Sequence, residues 1–397
     1  MRFRFQFRRY RLPFRAAVRT AHGPWLEREG VIVRLEDASD GARGAVGFGE
    51  AAPIPWFGTE TTDEVEAGCR GIGEWIEDAA LEEVPPKLGC LRHALACARG
   101  ECGRASAKDG DESGAAHENG RASENKATVA RKSDERTAFA GTTSAPAAGA
   151  RATLGVAALL PAGKLALAQI EPKAEVGFRV LKWKVGVGDL ADELSLLDDV
   201  CARLPSGAKL RLDANGAWNR RQAERWMERC ADRPVEFVEQ PIAADARGAE
   251  DLLLGLAGDY PTAIALDESL IGDSDVEKWI GAGWPGVFVV KPLLFGDVAT
   301  ALARLERAKA SVVFSSSLET AVGAKSSLRT AFAWKGELDP AAVAKPDQPI
   351  PRRTRALGFG VWPLFADARF DGPFTAPFLH YDDVERIDSE TIWNALS

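Results

Sequence analysis

Two lysines one residue apart, Lys182 and Lys184, lie in a β-rich run, and three acids and a further lysine close later runs of the same kind: Asp213, Glu239, Asp267 and Lys291. In an extended strand residues two apart share a face, so Lys182 and Lys184 point one way and Trp183 the other. Two ammonium groups in one confined space are costly to bury unless opposite charges stand close by. The three acids can supply that compensation. They also offer oxygen ligands on rigid supports, with positions left open, which is what a hard divalent cation takes. Mg²⁺ is the natural candidate, with Mn²⁺ as a substitute. Asp267 is followed by Glu268; because strand neighbours face opposite ways, Asp267 is expected to be the inward one.

These residues need elements that bring them to one place. From about Leu154 onward, short β-rich runs alternate with longer amphipathic stretches, the pattern of repeated βα units. The expected strands are Leu154 to Leu160, Phe178 to Val185, Lys209 to Asp213, Glu236 to Glu239, Ala263 to Asp267, Val287 to Lys291, Val312 to Ser316 and a short one at Leu357 to Phe359. Helices are expected at Leu190 to Arg203, Ala217 to Cys230, Ala249 to Ala257, Ser274 to Ile280, Asp297 to Ala310 and Leu318 to Ala333. Eight such strands predict an α/β fold, a (β/α)8-type barrel, in which the polar residues fall at the C-terminal strand ends where these barrels carry their active sites. An open doubly wound sheet would need a glycine-rich phosphate loop after its first strand, and Leu160-Pro161-Ala162-Gly163-Lys164 does not provide one. Taken singly, each polar residue also has a plain reading, as a helix cap, a turn or part of a salt-bridge ring. Their order, at one βα period each, favours a common site.

Before the barrel, residues 1–102 read as an α+β unit: charged and aromatic residues alternate from Arg2 to Arg9, a turn-rich stretch runs from Gly47 to Gly58, and helical patterning extends from about Thr61 to Arg99. Residues 103–150 turn to Ala, Gly, Ser and charged types with little to bury, and are expected to be a disordered insertion or linker. The barrel is expected over 151–360 and a C-terminal segment over 361–397. The 397 residues carry a formal charge of -8 spread along the chain, so no basic surface suited to nucleic acid stands out. No long apolar run suits a membrane span or secretory signal, and the partner expected is a small-molecule carboxylate. The six cysteines lack zinc-type spacing and are expected to be free thiols of a cytoplasmic protein.

The runs Leu181-Lys182-Trp183-Lys184-Val185-Gly186, Asp213-Ala214-Asn215, Glu239-Gln240-Pro241, Asp267-Glu268-Ser269 and Val290-Lys291-Pro292 resemble the muconate-lactonizing branch of the enolase superfamily. Within it, Gly49-Glu50-Ala51-Ala52-Pro53, Ala157-Ala158-Leu159-Leu160-Pro161, Ser315-Ser316-Ser317-Leu318-Glu319-Thr320 and Leu357-Gly358-Phe359-Gly360 are similar to the o-succinylbenzoate synthase family. The resemblance implies a barrel capped by an α+β domain built from the N-terminal region and the C-terminal tail. It implies a hydro-lyase of menaquinone or phylloquinone biosynthesis, with Asp213, Glu239 and Asp267 holding Mg²⁺. Lys184 would be the base, its basicity lowered by the metal and Lys182, and would then act as the acid for the departing hydroxyl. Lys291 would stay cationic over the opposite face of the substrate, Lys182 would tune Lys184, and Asn215 could reach the substrate. Ser316 to Glu319 fits a capping box that leaves backbone N–H groups free for an anion such as the succinyl tail, and Gly358 would allow close backbone approach. His22 is placed by the resemblance in a loop of the cap. The rival activity is an N-acylamino acid racemase or dipeptide epimerase, which could use the same lysines on opposite faces. The Asp-x-Asp pair expected of dipeptide epimerases in the last barrel loop is missing from Gly358-Phe359-Gly360.

Overall fold

The alternation at the start of the chain buries Phe3 and Phe5 and, after a change of phase, Tyr10, Leu12 and Phe14 on a long strand, β1 (Arg2–Thr20), which pairs antiparallel with β2 (Gly23–Asp37). The computed structural model describes residues 1–20, 23–39, 44–114, 153–338 and 352–396; His22 and most of the expected insertion lie outside them. β3 (Val46–Ala51) and, after α1 (Thr62–Ile72), β4 (Trp75–Glu77) complete a sheet of order β3-β2-β1-β4. α2 (Gly89–Gly114) packs across β2 and β3. The approach is so close that a Cβ at Gly49 would lie 1.9 Å from the Ala94 carbonyl oxygen, so only glycine fits there.

The helical patterning from about Thr61 to Arg99 resolves into two helices. Gly73 turns into the left-handed region at φ 79 and ends α1, β4 adds to the sheet, and a 3-10 turn over Asp78–Glu83 precedes α2. Past residue 102 the α2 backbone continues helical to Gly114.

The βα rhythm gives a parallel sheet in chain order. Its strands are β6 (Ala158–Leu160), β7 (Val180–Lys184), β8 (Lys209–Asp213), β9 (Val235–Glu239), β10 (Ala263–Leu266), β11 (Val287–Val290) and β12 (Ser311–Phe314), preceded by β5 (Thr153–Gly155). α3 (Leu167–Val176), α4 (Leu190–Arg203), α5 (Arg220–Cys230), α6 (Ala249–Asp259), α7 (Asp273–Gly281), α8 (Val298–Arg307) and α9 (Ala321–Ala333) alternate with them. Several helices start where a polar side chain accepts first-turn N–H groups: Asp189 for α4, Asn219 in a capping box with Gln222 for α5, and Asp297 for α8.

The eighth strand is reduced to two residues, which is enough to close the barrel. Leu357 bridges Val156 beside the first barrel strand, and Gly358 bridges Ser315 beyond the last. The Gly358 N–H donates to the Phe314 carbonyl at 2.8 Å, and the Ala157 N–H to the Leu357 carbonyl at 2.9 Å. Closure rules out the open doubly wound alternative. Inside, Phe237, Ala265, Val287, Val289 and Val313 form an apolar plug, so the barrel is a packed core.

Beyond α9, β13 (Glu337–Leu338) pairs with β14 (Arg352–Arg353), β15 (Phe378–His380) pairs with β5, and α10 (Tyr381–Glu385) and α11 (Ser389–Ala395) follow. The C-terminal segment returns to the first sheet: the Phe365 ring stacks on Phe14 at 5.8 Å, and Arg8 lies over Trp393 at 4.4 Å. All six cysteines are free.

His93, on α2, is buried, and burial pushes its imidazole down to about 4 against the opposing pull of a backbone hydrogen bond at Phe295. The unfolded chain, with the usual value near 6.5, therefore takes up a proton first as pH falls. Stability conferred by the neutral ring is complete above about pH 6.5 and declines by about 1.4 kcal/mol per pH unit toward pH 4, about 3 kcal/mol in all. Urea unfolding midpoints should drop across this window, and His93→Gln should flatten the drop.

Candidate active site

The C-terminal strand ends meet the first sheet around a cavity of about 270 Å³. It is lined from the barrel by Lys182, Lys184, Asp213, Asn215, Asp267, Lys291, Ser316, Ser317 and Gly358, all expected site residues. The tenth, Glu239, is buried and reaches the site through Lys182. Lys182 and Lys184 share the inner face of β7, while Trp183 packs outward near Trp226. Lys182 Nζ donates to Glu239 Oε1 at 2.8 Å and stands 2.9 Å from Asp213 Oδ2. Lys291 Nζ forms an ion pair with Asp267 Oδ1.

The same pairing separates the three lysines chemically. Burial opposes charge on Lys182, but Asp213 and Glu239 outweigh it and raise its affinity for a proton. Lys184, with burial as the larger cause and Lys182 as a like-charged neighbour, is shifted below the usual lysine value despite Asp213. Burial likewise pushes Lys291 down, to about 8. Asp213 is held below its usual value by Lys182 and Lys184 although burial acts the other way. A permanent cation therefore sits beside an amine that releases its proton more readily.

Glu268 also lines the cavity, contrary to the expectation that only Asp267 faces it. β10 ends at Leu266, so both acids lie in the turn beyond the strand, where alternation no longer applies. Burial, then Asp213, raises the Glu268 carboxyl to about 7. Its Oε2 and the Asn215 Oδ1 are buried oxygens without a hydrogen-bond donor. Such oxygens, close to Asp213 and Asp267, suit a hard cation. Among the described residues no three metal-type ligands meet at one point, because ammonium groups stand between the acids.

The capping box expected at Ser316 to Glu319 is not formed. Leu318 is left-handed at φ 61, Glu319 turns inward to accept from Ser316 Oγ and the Ser317 N–H, and α9 begins only after Thr320, whose side chain caps it. The N–H groups thought free for an anion are taken by Glu50 of β3, which accepts from Thr320 N at 3.0 Å and Gly323 N at 2.8 Å, as well as from the hydroxyls of Thr320 and Tyr10. Glu50→Ala would leave these buried donors unpaired, so we expect a loss of about 3 kcal/mol, seen as a thermal midpoint several degrees lower, with a smaller loss for Glu50→Gln. Gly358 is confined at the barrel closure, where a Cβ would lie 2.5 Å from Ser315 Oγ.

The wall facing the barrel was not read from sequence. Val18, Trp25, Ile54, Trp56 and Phe57 line it, with Trp25 and Trp56 edge to face at 4.6 Å and Lys291 Nζ 5.3 Å from the Phe57 ring centroid. The turn-rich stretch ending at Gly58 was the available signal; its target across the domain boundary was not.

Residues 166–353 match a family model described as enolase C-terminal domain-like, and residues 2–102 match one described as the MenC N-terminal domain. An o-succinylbenzoate synthase of Thermosynechococcus vestitus is 33% identical over 363 residues, 90% of this chain and 92% of the relative. The crystal structure of o-succinylbenzoate synthase from Thermosynechococcus elongatus BP-1, complexed with Mg in its active site, superposes with a TM-score of 0.72 at 30% identity, covering 99% of both chains. The substrate-liganded L-Ala-D/L-Glu epimerase of Bacillus subtilis shares the fold, at TM-score 0.66, 21% identity and 95% of each chain.

Proposed function

The chain belongs to the o-succinylbenzoate synthase family of the enolase superfamily, and from that premise we propose that it dehydrates 2-succinyl-6-hydroxy-2,4-cyclohexadiene-1-carboxylate to o-succinylbenzoate, as a hydro-lyase of menaquinone or phylloquinone biosynthesis. The observation that carries this reading is the meeting of Lys182, Lys184 and Lys291 with Asp213 and Asp267 in one cavity under an aromatic wall. Asp213, Glu239 and Asp267 would hold Mg²⁺, or Mn²⁺ in its place. When bound, the cation would draw off charge from the substrate carboxylate and so acidify the adjacent carbon.

Lys184 removes the proton from that carbon as its amine, and its lowered proton affinity supports this role. The same Lys184, now an ammonium, gives a proton to the hydroxyl as the C–O bond breaks on the same face. Water leaves and the ring becomes aromatic. Lys291 faces the developing negative charge as a cation, held against Asp267 and the Phe57 ring. Lys182, fixed as an ammonium by two acids, disfavours a second charge on Lys184. Asn215, Ser316, Ser317 and Gly358 would contact the substrate, the serines and glycine from the wall beside the barrel closure.

No described helix is long and apolar enough to cross a membrane. The six free thiols support a reducing, cytoplasmic setting.

The test is direct. Purified protein with Mg²⁺ and the succinylated cyclohexadiene should develop the ultraviolet absorbance of the aromatic product, and chelation should stop it. In D₂O, N-succinyl amino acids provide the second arm: exchange at the α-carbon without dehydration activity would favour the racemase and overturn this assignment.

A further inference from the structure

Two residues among those described combine a left-handed backbone, no glycine, and a position within two residues of the end of an acid-bearing strand: Asn215 at φ 44, beyond β8, and Gln240 at φ 38, following β9. Holding a non-glycine residue there costs of order 1 kcal/mol or more and persists only where the surroundings enforce it. Both side-chain amides turn to the same target, the Asp267-Glu268-Ser269 turn. Asn215 Nδ2 donates to Glu268 Oε1 at 3.0 Å.

Gln240 goes further. It is fully buried, and its amide uses every donor and acceptor it has. Oε1 accepts from the Asp267 N–H at 3.0 Å and the Ser269 N–H at 3.1 Å, while Nε2 donates to the Ile242 carbonyl at 2.8 Å and to Ser269 Oγ at 2.7 Å. Two backbone N–H groups pointing at one atom fix which end of the amide is oxygen. The Gln240 backbone meanwhile joins the flanking strands, donating to the Ala265 carbonyl at 2.8 Å and accepting from the Gly216 N–H at 2.7 Å. Gln240 thus connects the ends of three strands, those that carry Asp213, Glu239 and Asp267.

We propose that Gln240 is a positioning residue for the metal-binding acids, its amide setting the Asp267 turn at a fixed distance from Glu239 before any metal arrives. This rests on reading Asp213, Glu239 and Asp267 as the metal ligands. A bulk packing role would be served by any side chain of equal length. Positioning requires the polar atoms, since an unclamped Asp267 must lose motional freedom each time a cation binds.

The experiment combines amide exchange on the metal-free full chain with calorimetric titration of Mg²⁺. In wild type the Asp267 and Ser269 amides should exchange at least about tenfold more slowly than open turn amides. Gln240→Met, similar in length but without the amide, should lose that protection and bind Mg²⁺ about 10–100-fold more weakly while still unfolding cooperatively. Gln240→Glu keeps an acceptor for both N–H groups and should retain the protection. Unprotected amides in wild type, a measurement that needs no variant to fold, would overturn the proposal. So would unchanged protection and affinity in Gln240→Met. If wild type bound no Mg²⁺ while Gln240→Met lost its protection, the metal reading would fall and the clamp on the turn would stand.

Discussion

Lys184→Ala should lower turnover by about 10⁴-fold or more while leaving Mg²⁺ affinity within a few-fold of wild type. The size follows from the proposed double role of Lys184, which removes the proton and returns it to the leaving hydroxyl, so that no second group takes over either step. A loss of this size is about 5.5 kcal/mol of barrier. The protein should still fold, because Lys184 is only partly buried and the acids nearby remain paired with Lys182 and Lys291. Steady-state rates on the succinylated cyclohexadiene and a metal titration of the same preparation check both halves. Turnover within tenfold of wild type would remove Lys184 from the chemistry.

Lys291→Met should split the same two readouts in the same direction. Its ammonium stands against Asp267, so removing it frees a carboxylate that a cation would otherwise share with a lysine, and Mg²⁺ should bind at least as tightly as before. Turnover should nevertheless fall by about 10²–10³-fold, the usual effect of deleting a group that stabilises developing negative charge. The loss should appear in kcat more than in KM. Equal losses in rate and metal affinity would mean that Lys291 serves the fold of the Asp267 turn and not the reaction.

The strand ends were legible because the βα period is strong and each polar residue closes a β-rich run. Lys182 and Lys184 followed from alternation within β7, and the three acids from their order. Glu268 was misjudged where the strand stops one residue sooner than expected, because alternation has no meaning beyond Leu266. Ser316 to Glu319 matched a capping pattern in sequence, yet the buried carboxylate of Glu50, supplied from β3 across the domain boundary, takes the helix N-terminus, and the cap falls at Thr320. Trp25, Trp56 and Phe57 were not foreseen for a related reason: a wall made by a second domain leaves no periodic trace in the segment that forms it. The eighth strand was foreseen as short and in the right place: Leu357 and Gly358, two of the three residues expected, make the bridges that close the barrel.

Crystals grown with Mn²⁺, read by anomalous scattering, would test the convergence of these groups most directly. One peak within about 2.0–2.3 Å of oxygens from Asp213, Glu239 and Asp267, with the Lys182 ammonium moved off the acids it now bridges, is the expected result. A protein that binds no ion there, or holds it elsewhere while Lys182 keeps both acids, would contradict the site.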